Sequence, residues 1–171
     1  MAKILMIIAQ KGYQDLEYGE PRRIFEKAGY TVVTASKQKG ECMGALGGRT
    51  EAELALNDVR AEDYVAVIFV GGPGAVMYLN DKEAWRIAKE TVAKGKILGA
   101  ICIAPLILAH AKILGGKKAT VWNGDGQQAD VLVAYGAEFI DKNVVVDGKI
   151  VTANGPSAAK EFGREIIRVM E

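Results

Sequence analysis

The chain has 171 residues, which at roughly 150 residues per domain predicts one domain over 1–171 with room for a sizeable core. Half of the residues are hydrophobic and a quarter are charged, a composition that excludes disordered, collagen-like and disulfide-framework proteins. A formal charge of +1 supplies no net field for nucleic acid or an anionic membrane, so neither is expected as a partner.

Apolar runs rich in Val and Ile alternate with segments of helical period. KILMIIA (3–9) reads as a first strand. LEYGEPRRIFEKAG (16–29) reads as a helix ended by Gly29, with Leu16, Ile24, Phe25 and Ala28 as its inner face. TVVTAS (31–36) is the next strand, and the polar, glycine-rich stretch 37–53 predicts short edge strands or loops. VAVIFV (65–70) is an uninterrupted apolar strand of the kind found in parallel sheets covered on both faces. It runs into GGPGA, followed by a helix over 81–95 that places Trp85, Ala88 and Val92 at helical spacing. KILGAI (96–101) is another buried strand, ending at Cys102.

The helix APLILAHAKIL follows, then a short strand KATVW (118–122), a loop NGDGQQAD and a short helix near 129–135. NVVVDGKIVTA predicts a hairpin with Asp147 and Gly148 in a type I′ turn. A last helix presents Phe162, Ile166 and Met170 on one face. Alternating strands and helices imply an α/β three-layer sandwich around a mostly parallel sheet. The nearly uncharged run 97–111 is shorter than the roughly 20 apolar residues a bilayer span needs, and Pro105 interrupts it.

The counts of reactive residues narrow the chemistry. A single histidine, His110, excludes a site built on two imidazoles from one chain, and no metal is expected. Neither a Walker sequence nor GxGxxG is present, so no nucleotide cofactor is expected. Cys42 and Cys102 could form at most one disulfide, and the opening MAKILMIIAQ is too short an apolar run for a secretory signal. Free thiols in a reducing, cytoplasmic setting are therefore expected.

Ligands of open parallel sheets bind outside the carboxyl ends of the strands. The residues just after the predicted strands are Tyr13, Asp15 and Glu17, then Gly71 to Gly74, then Cys102. A cysteine at a strand-to-helix turn gains from free amides and the positive helix end, which predicts a thiol pKa below the free value. Cysteine is also among the most often buried residues, and Gly71 to Gly74 could be only a tight turn. Cys42, in the polar stretch, reads as incidental, and Asn154 as a cap for the last helix.

AICIAPLILA around Cys102, YQDLEYGEP around Glu17, IFVGGPGA and VVVDGKIVTANGP together resemble the PfpI/ThiJ family over about residues 3–168. The resemblance implies a flavodoxin-like, class I glutamine amidotransferase-like sandwich with a nucleophile elbow at Cys102. It implies Glu17 as a protonated carboxyl meeting the sulfur, and the Gly72 and Ile103 amides as an oxyanion hole. It also implies a homodimer or larger homo-oligomer.

Two departures stand out. The peptidase-like branch has a histidine directly after the cysteine, where this chain has Ile103. His110 lies eight positions on, about 12 Å along a helix at 1.5 Å per residue, too far for a nucleophile-to-base hydrogen bond. Where a relative carries a pocket histidine, this chain has Trp122 and Asn123, which with Gly71 are the candidate pocket residues; nearby Asp125 is a further acid or base candidate. The expected function is therefore glyoxalase or deglycase-type chemistry on a small-molecule carbonyl substrate by Cys102 with Glu17. The alternatives are a stress-protective protein oxidised at Cys102 and, lacking a base, a cysteine peptidase.

Overall fold

A computed structural model describes residues 1–171. The first half contains β1 (Lys3–Ile7), β2 (Lys11–Tyr13), α1 (Asp15–Lys27), β3 (Thr31–Ser36), β4 (Gly40–Gly44), β5 (Arg49–Ala52) and β6 (Leu54–Ala55). Then come β7 (Ala66–Phe69), α2 (Lys82–Ala93), β8 (Ile97–Ile101), α3 (Pro105–His110), β9 (Lys118–Ala119) and α4 (Gln127–Ala134). The chain closes with β10 (Glu138–Phe139), β11 (Val144–Asp147), β12 (Ile150–Ala153) and α5 (Ala159–Met170).

Seven strands form the central sheet in the order β11-β12-β8-β7-β1-β3-β6. Every pairing is parallel except β11 with β12. Side chains alternate across a strand, so β1 sends Ile4 and Met6 to one face and Leu5 and Ile7 to the other. The first pair packs with Phe25 of α1 and Phe162 of α5, the second with Ile87 of α2 and Ile107 of α3. This is the flavodoxin-like three-layer sandwich, its β7 and β8 wholly buried as their uninterrupted apolar runs imply. No helix is long and apolar enough to cross a membrane.

Several local expectations are corrected. The inner face of α1 is Glu17, Tyr18, Pro21 and Phe25, whereas Leu16 and Ala28 are exposed. The helix turns Tyr18 inward because its hydroxyl reaches Thr34 Oγ1 at 2.7 Å in the interior. The inner face of α2 is Ala84, Ile87, Ala88 and Thr91, with Val92 exposed. Its N-cap Asp81 accepts hydrogen bonds from the Glu83 and Ala84 amides and fixes where the helix begins.

α3 stops at His110, and Lys112 takes a positive φ of 63° just beyond it. Only Lys118 and Ala119 of the segment 118–122 pair as a strand. The Thr120 amide instead donates to Thr152 Oγ1, and the Trp122 amide to the Cys102 carbonyl. Asp147 pairs with Ile150, so the hairpin loop is Gly148-Lys149. Only Gly148 has positive φ there, which suits a II′-type turn and not the I′ turn centred on Asp147-Gly148. Cys42 lies on β4, fully buried, and not in a polar loop. Asn154 caps nothing: the last helix has no side-chain cap.

Candidate active site

The carboxyl ends of β1, β7 and β8 bring three short segments together. β8 ends at Ile101 and Cys102 follows at φ 66°, the left-handed region that non-glycine residues rarely adopt. Its amide donates to the Ala153 carbonyl of β12, and its carbonyl accepts from the Trp122 amide. These two bonds hold the turn that lifts the side chain out of the sheet, the sharp strand-to-helix elbow expected of this sequence.

Glu17 reaches the same point from the first turn of α1. The cap residue Gln14 sets that turn: its Oε1 accepts from the Leu16 and Glu17 amides at 2.7 and 3.0 Å. Glu17 is fully buried, and neither of its carboxyl oxygens has a partner of full hydrogen-bond geometry. The Cys102 thiol and the Gly71 amide are its polar neighbours. Burial raises the carboxyl pKa from 4.5 to about 7, against the opposing pull of those two groups.

The Gly71-Gly72 turn after β7 completes the floor. A Cβ on Gly71 would lie 2.5 Å from Glu17 Oε1 and 2.7 Å from Cys102 Cβ, so only glycine leaves room for the carboxyl and the thiol to meet. Gly72 has φ 108°, and a Cβ there would meet the Gly12 carbonyl at 2.5 Å. The Gly72 and Ile103 amides donate to no backbone carbonyl, and both act on the Cys102 sulfur to favour its thiolate. They do not win. Burial first, then the neighbouring Glu17 carboxylate, push the thiol up to about 12, so the expectation of a lowered pKa is corrected. Apolar surroundings outweigh a helix end of only six residues.

Above this floor lies a crevice of about 510 Å³. Ile103, Pro73, Val76, Trp122 and Pro156 form its apolar walls, and Gln14 and Gln128 also line it. Trp122 is partly exposed at the rim, lying over Gly124, where a Cβ would collide with its ring. Asn123 is not part of the wall: its Oδ1 accepts the Ala129 amide at 3.0 Å and ties down the start of α4. Asp125 is likewise occupied with the Gln127 amide.

His110 stands outside the site, stacked on Tyr135 at 5.2 Å and facing Asn80 Oδ1 at 3.4 Å. Gln14, Pro73 and Pro156 lie in the YQDLEYGEP, GGPGA and TANGP segments without a role expected of their side chains, and Val76 and Gln128 lie outside those segments. Gln14 alone had a legible signal, as a polar residue directly ahead of a helix with acidic residues in its first turn.

A thiol and a buried carboxyl at an elbow between β8 and α3, in a flavodoxin-like sandwich, define a class of proteins. The chain belongs to the DJ-1/PfpI family, whose model matches residues 2–169. It is 43% identical over 171 residues to an uncharacterised protein of Methanocaldococcus jannaschii, covering 99% of this chain and 83% of that one. It is 30% identical over 169 residues to the deglycase PfpI of Pyrococcus furiosus, covering 99% of both. Among solved structures, a ThiJ/PfpI domain protein from Brachyspira murdochii superposes with a TM-score of 0.94 at 35% identity, covering 98% of this chain and 95% of that one.

Proposed function

We propose that this chain is a cysteine-dependent enzyme for small reactive carbonyl compounds, of the glyoxalase or deglycase type. Cys102 is the nucleophile and Glu17 its proton-transfer partner. The observation that carries this reading is a fully buried carboxyl set against a thiol at a positive-φ turn, beneath an open crevice. The 30% identity to the Pyrococcus furiosus deglycase supports it.

An α-oxoaldehyde such as methylglyoxal enters the crevice, and the sulfur attacks its aldehyde carbon. The S–C bond forms, the carbonyl π bond breaks, and the thiol proton ends on the new hydroxyl, giving a hemithioacetal. The Gly72 and Ile103 amides hold that oxygen while charge develops on it. A carboxyl titrating near 7 can both accept and return a proton at neutral pH. Glu17 takes the proton from the former aldehyde carbon and delivers it to the adjacent carbon while the hydroxyl proton passes to the oxygen of that adjacent carbon, leaving a thioester of a 2-hydroxy acid. Water then cleaves the S–C bond, releases the acid and restores the thiol. The net reaction is addition of water, with no outside oxidant.

Where the attacked carbon already carries an amine, as in a newly glycated side chain, the S–C bond forms as the C–N bond breaks, the thiol proton leaves on the released amine, and the resulting hemithioacetal enters the same sequence. Peptide hydrolysis is disfavoured, because the one imidazole of the chain is engaged with Tyr135 and Asn80. Methylglyoxal consumption by the purified protein tests the proposal. Cys102→Ala is expected to abolish it and Glu17→Gln to reduce it by about 10²–10⁴-fold, the usual contribution of a positioned acid-base group. Unchanged turnover in Cys102→Ala would refute the reading.

A further inference from the structure

Gln14 is mounted between the two halves of the site. Its amide donates to the Gly71 carbonyl at 2.9 Å, its carbonyl accepts from the Tyr18 amide at 3.1 Å, and its Oε1 accepts from the Leu16 and Glu17 amides at 2.7 and 3.0 Å. Two backbone N–H donors meet one end of the carboxamide, which identifies that end as the oxygen, because an amide nitrogen cannot accept them. Nε2 is therefore the one polar atom of the residue without a partner, and it is not sealed from solvent as the Glu17 carboxyl oxygens are. The residue lines the crevice together with Gly72 and Cys102. It lies so close to Gly72 that a Cβ there would stand 2.4 Å from the Gln14 nitrogen. A residue with an unpaired donor, held through its backbone and its Oε1, thus stands beside Gly72 and shares the first turn of α1 with Glu17.

We propose that Gln14 is a specificity-determining residue whose Nε2 donates a hydrogen bond to the second carbonyl oxygen of a 1,2-dicarbonyl substrate, so that the site distinguishes an α-oxoaldehyde from a simple aldehyde of similar size. The assignment rests on Cys102 being the nucleophile that attacks the aldehyde carbon. In the hemithioacetal the former aldehyde oxygen lies with the Gly72 and Ile103 amides, and the oxygen on the adjacent carbon meets the donor beside Gly72. That anchor turns the second carbon toward the helical turn that carries Glu17, the group that must protonate it. A simple aldehyde has no second oxygen and gains nothing from Gln14. Apart from Cys102, no lining residue is ionisable, so discrimination in the crevice falls to neutral hydrogen bonds.

The test uses the full-length Glu17→Gln protein, which stalls once the sulfur has added, titrated with methylglyoxal or propanal isotopically labelled at the aldehyde carbon. NMR reads the hemithioacetal carbon, and the signal missing from Cys102→Ala is the Cys102 adduct. In the Glu17→Gln background, Gln14→Glu keeps an oxygen for the two amides that cap α1 but replaces the donor by a second acceptor. It is expected to weaken the methylglyoxal adduct by about fivefold or more, as loss of a neutral hydrogen bond does, and to leave the propanal adduct unchanged. Gln14→Thr, whose hydroxyl also caps a helix but is too short to replace the donor, is expected to show the same split, with dispersed spectra confirming the fold of both variants. Equal weakening for the two aldehydes, or an unchanged methylglyoxal adduct in both variants, would overturn the proposal and leave the Cys102 chemistry standing. No Cys102 adduct with either aldehyde while Gln14 is intact would overturn both, so the two failures are told apart.

Discussion

Glu17 and Cys102 lie 85 positions apart in sequence and meet as polar neighbours in the fold. Burial is the dominant influence on both; the Glu17 carboxylate opposes ionisation of the thiol, whereas the hydrogen bond from the thiol favours ionisation of the carboxyl. The consequence for stability follows from the sign of the Glu17 shift. Its pKa rises from 4.5 to about 7 on folding, so between those values the folded chain holds a proton that the unfolded chain has lost. That stabilisation is complete below 4.5 and is lost as pH rises through 7, a span worth about 3 kcal/mol at 1.36 kcal/mol per unit. Glu17→Gln cannot ionise. Relative to wild type, it is expected to melt several degrees higher at pH 8 than at pH 4.5, read by thermal denaturation across that range. Parallel profiles for the two proteins would show that burial of Glu17 does not control its ionisation.

At the scale of elements, the site depends on where α1 begins. Gln14 caps the helix through two amides, one of them that of Glu17 itself. Gln14→Ala is expected to cost about 1 kcal/mol, as loss of a side-chain cap does. It should also lower methylglyoxal turnover at temperatures where the variant is still fully folded, because the carboxyl loses its fixed approach to the sulfur. A stability loss with unchanged turnover would separate the cap from the chemistry.

Elements differed in how far their sequences disclosed them. β7 and β8 are buried on both faces, and their runs of Val, Ile and Ala read directly as parallel strands. The inner faces of α1 and α2 follow the apolar pattern only in part: Phe25 and Ala88 are buried, whereas Leu16, Ala28 and Val92 are exposed. The interior accepts Glu17, Tyr18 and Thr91, and it finds polar partners for Tyr18 in Thr34 and for Thr91 in the Ile87 carbonyl. A hydrophobicity pattern counts such residues as solvent-facing. β9 is shorter than its composition suggests because the Thr120 amide bonds to the Thr152 side chain and the Trp122 amide to the Cys102 carbonyl, and neither to the backbone of a neighbouring strand.

At the scale of the molecule, the parallel sheet brings the ends of β1, β7 and β8 side by side, and that order is what assembles Glu17, the Gly71-Gly72 turn and Cys102. Those residues were legible because each directly follows a recognisable strand or sits in a motif. Gln128 was not, since it reaches the crevice only through the packing of α4, which is distant in sequence from the strand ends. The layers themselves are held from both faces. Phe162 of α5 is fully buried against the β1 and β8 side of the sheet. Phe162→Ala is expected to destabilise the fold by about 3–5 kcal/mol through the cavity it leaves. Chemical denaturation would show this as a lower midpoint with an unchanged slope, and a loss under 1 kcal/mol would mean that α5 does not hold the sheet.

The central claim is that a carbonyl compound becomes covalently attached to Cys102 with Glu17 beside it. Peptide mapping by mass spectrometry, after brief exposure of the wild-type protein to methylglyoxal at neutral pH and acid quench, tests it most directly. The expected result is an adduct with the mass of one methylglyoxal on the Cys102 peptide, absent from the Cys42 peptide and accumulating further in Glu17→Gln. An unmodified Cys102 in wild-type protein that is actively consuming methylglyoxal would contradict it.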